Sequence, residues 1–379
     1  MTMIFPAIFI GGPPHAGKST LFYRLSQALR KKNVAHYGLR ASPDGEGDWS
    51  YEVHDSVVRE LRMRVKEAWT PQFASEICRD IDERHLPLLV DVGGKVTPQT
   101  TPIMAACTHG LLIAGPGGDL SEWHAQLASL GRPLLAELRS ELDGVQGAQL
   151  QAGVLRGTIS GLRQGASSDG PCFSALVAQI CQLFSYTPEQ LYQIHRSLLD
   201  LDLVIDLEQA IPPLPAHVGE QRWQPNELPA LLAALPSDEP LAIYGRGPLW
   251  LMGALAAFSQ PAPQLFNPRH GWKPLPTLQL AAAPDPSRLE WECAQHPDYT
   301  RVRLRIPQGY LALEGSQNLP VPMLNLDRGV VLDGKLPGWL LAALARTYRD
   351  AAWVAVYQPQ LGDVVVCSRD DRVRPGAVR

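Results

Sequence analysis

The segment Gly12-Pro-Pro-His-Ala-Gly17-Lys18-Ser19 constrains this chain more than any other. It matches GxxxxGK[ST] between the apolar run Ile4 to Ile10 and a stretch, Lys18 to Lys32, that places Leu21, Phe22, Leu25, Ala28 and Leu29 on one helical face. Strand, glycine-rich turn and helix in that order make a loop whose backbone N–H groups face a polyphosphate, and the helix start adds partial positive charge. Gly12, Pro13, Pro14, His15, Ala16, Gly17, Lys18, Ser19 and Thr20 are assigned to that anion site. Gly12 and Gly17 give the backbone freedom to curl. Lys18 neutralises the outer phosphates, Ser19 offers its hydroxyl to Mg2+, and Thr20 reaches an inner phosphate.

Such a loop belongs to a parallel sheet. Val34 to Leu39, Leu86 to Val92, Gly110 to Ala114 and Gln151 to Ile159 read as further strands, with helical stretches such as Ser56 to Ala68 between them. Strands alternating with helices over about 200 residues predict an α/β fold covered on both faces. Thr187, Pro188 and Gln190 form a helix start, with Thr capping, Pro in the first turn and Gln reaching back. The domain is expected to span 1–206 and to close on a strand at Leu201 to Ile205. Seven prolines between Ile211 and Pro240 predict a linker over 207–239, leaving a second domain at 240–379.

The chain has 379 residues, enough for two or three compact units, and 45% hydrophobic against 19% charged residues exclude a largely disordered chain. A net charge of −4 is too near neutral for a surface that coats duplex nucleic acid, so anions must be held locally. No uninterrupted apolar run reaches the roughly 18 residues that span a bilayer, and no membrane partner is expected. Six scattered cysteines form no zinc spacing, and the N-terminus lacks a basic stretch with a cleavage site. A cytoplasmic protein with free thiols is expected. The excess of turn formers, 34 Pro and 32 Gly, falls in the phosphate loop, the linker and the helix starts of the second domain.

A phosphate loop works with a carboxylate at the end of a neighbouring strand that orients Mg2+. Asp91, closing LPLLVDVGG, is the candidate; the following Gly93 and Gly94 allow close backbone approach, and Lys95 can reach the same anion or a second substrate. Asp44, Glu46 and Asp48 alternate in the loop after the second strand. They can hold Mg2+, polarise a water or hydroxyl, grip a second substrate, or form a solvated acidic turn; the calcium-loop pattern is not met. Arg40, Arg59, Arg62, Arg64, Arg79 and Arg84 lie on nearby segments, and none is singled out by sequence.

The second domain repeats itself. LAIYGRGPLWLMGALAAF from Leu241 matches VVLDGKLPGWLLAALARTY from Val330 at a constant spacing of 89 residues, and the following Pro-containing turns at Pro268 and Pro359 are 91 apart. This predicts a duplicated strand-helix-strand-strand unit, with copies at about 240–290 and 325–379.

The segment GKLPGWLLAALARTYRDAAWVAVYQPQLGDVVV resembles the CRISPR-associated ring nucleases of type III systems. The segments GGPPHAGKST and HYGLRASPDGEGDWS resemble the variant fused to an N-terminal P-loop ATPase domain of AAA type. The resemblance implies a ferredoxin-like α+β module that recognises cyclic tetraadenylate, a cyclic oligoadenylate messenger, and a first domain that uses ATP and Mg2+. Family members that cut the ring carry helix histidines and a turn Asp; here the corresponding positions are Ala342, Arg346 and Gln358, so ring cleavage stays open. Arg246 and Lys335 occupy equivalent places in the two copies, and with Arg269, His270, Arg346 and Gln358 they form the expected messenger-binding set.

The expectation is therefore an ATP-hydrolysing ancillary protein of type III CRISPR defence, homo-oligomeric, with Lys18, Asp91 and Asp44, Glu46 or Asp48 in the hydrolytic machinery. The alternatives are a P-loop kinase or ligase acting on a small-molecule acceptor, with the second domain as an oligomerisation platform, and a nonenzymatic messenger sponge.

Overall fold

A computed structural model describes residues 5–41, 71–143, 145–162, 170–208, 223–268, 270–307, 311, 313 and 315–379. The chain divides into two units, Met1–Ser197 with Pro268–Gly271, and Leu198–Asn267 with Trp272–Arg379.

The first unit runs β1 (Ala7–Gly11), α1 (Lys18–Lys31), β2 (Tyr37–Ala41), α2 (Pro71–Asp82), β3 (Leu88–Val92), α3 (Thr100–Ala106), β4 (His109–Ala114), α4 (Ser121–Ser129), β5 (Leu134–Glu141), β6 (Gly147–Gln151), β7 (Val154–Ser160), α5 (Pro171–Leu183) and α6 (Pro188–Arg196). Its sheet has the order β2-β3-β1-β4-β5-β7-β6. The ladders are parallel apart from β6 against β7. All five residues of β1 are buried, as a central strand with helices on both faces requires. Ile8 and Ile10 pack in a core with α1 and α5, while Ala7 and Phe9 face one with α2, α3 and α4. The cap of α6 closes in both directions: Gln190 N–H donates to Thr187 Oγ1 at 3.2 Å and Thr187 N–H to Gln190 Oε1 at 2.9 Å.

Two expectations change here. The strand expected at Gln151 to Ile159 is the second half of a hairpin, because Ala152 (φ 49°) and Gly153 (φ 82°) turn the chain between β6 and β7. The strand expected to close the first domain pairs instead with the second unit's first helix-bearing strand, so the first unit ends at Ser197 rather than at 206.

In the second unit β8 (Leu203–Asp206) precedes a 3-10 turn (Pro225–Glu227), α7 (Leu228–Ala234), β9 (Leu241–Tyr244), α8 (Leu249–Phe258), β10 (Gln264–Asn267), β11 (Gly271–Pro274), β12 (Gln279–Ala281), β13 (Glu290–Gln295), β14 (Tyr299–Arg305), β15 (Pro320–Pro322), β16 (Gly329–Asp333), α9 (Gly338–Thr347), β17 (Trp353–Gln358) and β18 (Gly362–Ser368). The sheets are β11-β10-β9-β8 and β13-β14-β16-β17-β18, with β12 paired to β15. Both β9-α8-β10-β11 and β16-α9-β17-β18 run strand-helix-strand-strand. Their middle strand pairs are parallel, and β8 and β14 lie parallel beside β9 and β16.

The helix LWLMGALAAF of α8 is apolar on every side, as burial on every side demands. It packs on α9, with Gly253 against Leu341 and Ala345, and Gly338 against Met252. The proline-rich stretch is only partly a linker. Residues 209–222 lie outside the described residues, but Trp223, Leu228 and Leu231 are buried in the second unit's core, and Trp223 Nε1 donates to the Leu207 carbonyl at 2.9 Å. Pro229 sits in the first turn of α7, where its missing N–H costs no helical hydrogen bond. No helix among the described residues is long and apolar enough to cross a membrane.

Candidate functional site

The loop between β1 and α1 is closed by geometry that only certain residues permit. Gly12 has φ 143°, and a Cβ there would stand 1.9 Å from the Ile113 carbonyl oxygen of β4. Gly17 (φ 84°) is the N-cap of α1 and carries no side-chain cap, so the first turn keeps its N–H groups for a ligand. His15 also has positive φ, 62°, and lies exposed with Pro14 and Ser19. Lys18 is buried, and its Nζ donates to the Pro13 carbonyl at 2.8 Å across the loop. Burial pulls the Lys18 ammonium below its usual pKa, and the Asp91 charge opposes that pull.

Sheet order brings the carboxylate to the loop. β3 lies directly beside β1, with Asp91 in register with Ile10 two residues before the loop, and Ser19 Oγ donates to Asp91 Oδ2 at 2.7 Å. On the other side of β3, Arg40 is in register with Asp91 and places Nε 3.7 Å from the same oxygen, an ion pair too long for a hydrogen bond. Lys18, Arg40 and Asp91 are all buried, so two cations flank one anion beneath the loop. Hydroxyl and carboxylate oxygens are the hard donors that Mg2+ takes, and Ser19 and Asp91 fit that ion.

Gly94 abuts the loop, since a Cβ there would lie 3.0 Å from Pro14 Cγ. Lys95 is exposed, and its carbonyl accepts from Thr100 Oγ1 at 3.1 Å. Thr20 is half-buried in the first turn of α1. Asp44, Glu46, Asp48, Arg59, Arg62 and Arg64 fall outside the described residues. Arg84 has a structural part: its Nε donates to the Phe5 carbonyl at 2.5 Å and its Nη1 to the Ile81 carbonyl. Arg40 is the residue that sequence reasoning left unselected, and strand register is the information that singles it out.

In the second unit, Arg246 and Lys335 are exposed and follow Gly245 and Gly334 in the turns before α8 and α9. The Arg246 N–H donates to Glu208 Oε1 at 2.9 Å. Gln358 ends β17. Arg346 departs from the expected set, because its guanidinium donates to the Ala256, Ser259 and Gln260 carbonyls at the end of α8, committing its donors to closing that helix. His270 lies between β10 and β11, within the segment Pro268–Gly271 that groups with the first unit, and Arg269 lies outside the described residues.

An unforeseen arrangement occupies the second sheet. Arg301 of β14 bridges Asp333 (3.3 Å) and Asp363 (2.6 Å), and its guanidinium stands 5.4 Å from the Tyr357 ring centre. At repeat spacings of 89 and 91, Asp333, Tyr357 and Asp363 correspond to Tyr244, Phe266 and Trp272. Those three rings cluster, with centroids 5.0 to 5.9 Å apart. No local signal foretells the bridge, because its members come from three strands.

Residues 305–379 match the family described as CRISPR-associated protein (Cas_csx3). Among solved structures, the chain is similar to the septum site-determining protein MinD complexed with Mg-ADP from Pyrococcus horikoshii OT3, at 12% identity over 50% of this chain and 77% of that one, with a TM-score of 0.27.

Proposed function

We propose that this chain is a Mg2+-dependent ATPase of type III CRISPR defence whose second unit binds a cyclic oligoadenylate, cyclic tetraadenylate in the first instance. The observation that carries the nucleotide part is the 2.7 Å bond from Ser19 to Asp91 directly beneath a glycine-bounded loop.

In this reading the N–H groups of residues 15–19 hold the phosphates, and Lys18 exchanges the Pro13 carbonyl for a phosphate oxygen. Ser19 and Asp91 hold the cation, which when bound neutralises charge on the outer phosphates. Arg40 places a buried positive charge beside Asp91 from β2. Asp44, Glu46 or Asp48 polarises the attacking water and takes its proton as the water oxygen bonds to the γ-phosphorus and the bond from that phosphorus to the bridging oxygen breaks, with ADP and phosphate leaving.

The messenger part draws support from the CRISPR-associated match over 305–379 and from the two strand-helix-strand-strand units, read as ferredoxin-like duplicates. Arg246 and Lys335 would meet phosphates of the ring from equivalent turns. Ala342 and Gln358 offer no group able to move a proton, so the messenger is bound without being cut at those positions.

The test uses the purified full chain. Mg2+-dependent phosphate release from ATP should fall roughly 100-fold or more in Lys18→Ala, and cyclic tetraadenylate should bind by calorimetry and change the ATPase rate at least about twofold. If the messenger neither binds nor alters turnover, the CRISPR part of the proposal fails; if wild type releases no phosphate, the ATPase part does.

A further inference from the structure

Parallel sheets ordinarily carry helices on both faces and read as continuous apolar runs. β5 and β7 do not. Leu138, Leu155 and Ile159 turn into the core shared with α5, whereas Glu137, Arg139, Arg156 and Thr158 turn to the opposite face. In register, Glu137 stands beside Arg156, and Arg139 beside Thr158. Among the described residues α4 borders this polar face and leaves a cleft of about 750 Å3, within the range of small-molecule sites.

The charges in the cleft are sorted. Glu137 is matched by Arg156 at 3.2 Å, and His124 Nε2 lies 3.6 Å from the same carboxylate. Asp119, at the mouth, accepts from the N–H and hydroxyl of Ser121 at 2.8 and 2.6 Å. Arg139 is exposed and has no hydrogen-bond or ion-pair partner among the described residues. One guanidinium fork therefore stands uncommitted beside a threonine hydroxyl on the floor of a cleft.

Position adds a second argument. β1 and β4 are neighbours whose following helices lie on opposite faces, α1 on one and α4 on the other. That is a topological switch point, where open α/β sheets take ligands at the carboxyl ends of their strands. The cleft begins at the loop after β4, and Gly118 there is close enough to the phosphate loop that a Cβ would stand 3.1 Å from Pro13 Cγ.

We propose that this cleft is a second small-molecule site, separate from the phosphate loop, that takes a phosphate monoester of mononucleotide size. The phosphate sits on the Arg139 fork and the Thr158 hydroxyl, a planar donor set matched to an oxyanion. The remainder lies against Gln149 and the Glu137–Arg156 pair, which offer both acceptors and donors. The site does not require the ATPase reading, only the cleft.

The experiment titrates AMP and inorganic phosphate into the full chain by calorimetry, in wild type, Lys18→Ala, Arg139→Ala and Arg139→Lys. AMP should bind wild type and Lys18→Ala with affinities within about twofold of each other, and Arg139→Ala should weaken it roughly tenfold or more, with Arg139→Lys recovering part of the loss. ATP binding should stay within about twofold in Arg139→Ala. Because Arg139 is exposed and unpartnered, its variants should melt like wild type, which separates lost binding from lost fold. Loss of AMP binding in Lys18→Ala would assign the phosphate to the loop and overturn the proposal. Binding indifferent to Arg139→Ala, or no binding of either probe, overturns it as well.

Discussion

Replacing Asp91 by Asn keeps the side chain's shape and removes its charge. Asp91, Arg40 and Lys18 are 3%, 5% and 8% exposed, so the substitution leaves two buried cations without their counter-ion. Breaking a buried pair from one side costs about 3–5 kcal/mol. The lower end, about 3 kcal/mol, applies here because an Asn Oδ1 still accepts from Ser19 and because Lys18 can shed its proton, a move Arg40 cannot make. For a first unit of about 200 residues this is a fall of roughly 6–12 °C in its melting transition. Calorimetry of the full chain with and without nucleotide reads the fall directly. A second measurement, ATP affinity with and without Mg2+, should show the cation's contribution lost in Asp91→Asn and kept in wild type. Adding Arg40→Gln to Asp91→Asn should restore part of the stability but none of the Mg2+ dependence, since it removes a stranded charge without supplying an oxygen ligand. If Asp91→Asn melts within about 1 °C of wild type and Mg2+ still tightens ATP binding, Asp91 is not the carboxylate of this site.

Three further outcomes follow from the same geometry. Gly12→Ala puts a Cβ 1.9 Å from a backbone oxygen at φ 143°, so the loop must leave β4; loss of fluorescent ATP-analogue binding and a destabilisation above about 1–2 kcal/mol in urea titration are expected. His195 is buried against Phe5 and His85 and donates from Nε2 to the His85 carbonyl at 2.6 Å. Burial pushes its pKa down to about 4 from 6.5, so the stability of the neutral ring is complete above pH 6.5 and is lost as pH falls toward 4. That loss is about 3 kcal/mol by denaturant titration, and His195→Gln should flatten this part of the pH dependence. Arg346→Ala should lower the second unit's stability by about 2 kcal/mol through three uncapped carbonyls, with cyclic tetraadenylate affinity within about twofold of wild type; collapsed affinity with unchanged melting would return Arg346 to the messenger site.

Where the information was local, the sequence was readable. The strand, loop and helix around Lys18 and the cap at Thr187 depend on residues close together along the chain; the helix and the cap form where the spacing predicts, and the strand runs Ala7–Gly11. The pairing of β8 with β9 depends on a choice between two sheets that no window around Leu203 contains. The turn at Ala152 and Gly153 lacks the Asn-Gly or Asp-Gly signature, so a hairpin reads as one strand. The prolines near 229 were misleading for another reason: proline forbids a helix interior but suits its first turn, and only the buried Leu228 and Leu231 show which case applies. Arg40 acquires its partner through strand register and Arg301 through the order of strands that brings β14, β16 and β18 into one sheet, and neither is visible along the chain.

Two prolines inside the phosphate loop have a thermodynamic consequence. Pro13 and Pro14 carry no N–H, so they give up two donors that such a loop can aim at phosphate, and their rings fix φ at two positions before any ligand arrives. With Lys18 already tethered to the Pro13 carbonyl, little chain freedom is left to lose when an anion enters. Nucleotide association should therefore show a small entropic penalty and a modest enthalpy. Replacing both prolines by glycine should shift the balance toward stronger enthalpy and costlier ordering while moving the overall affinity far less than either component.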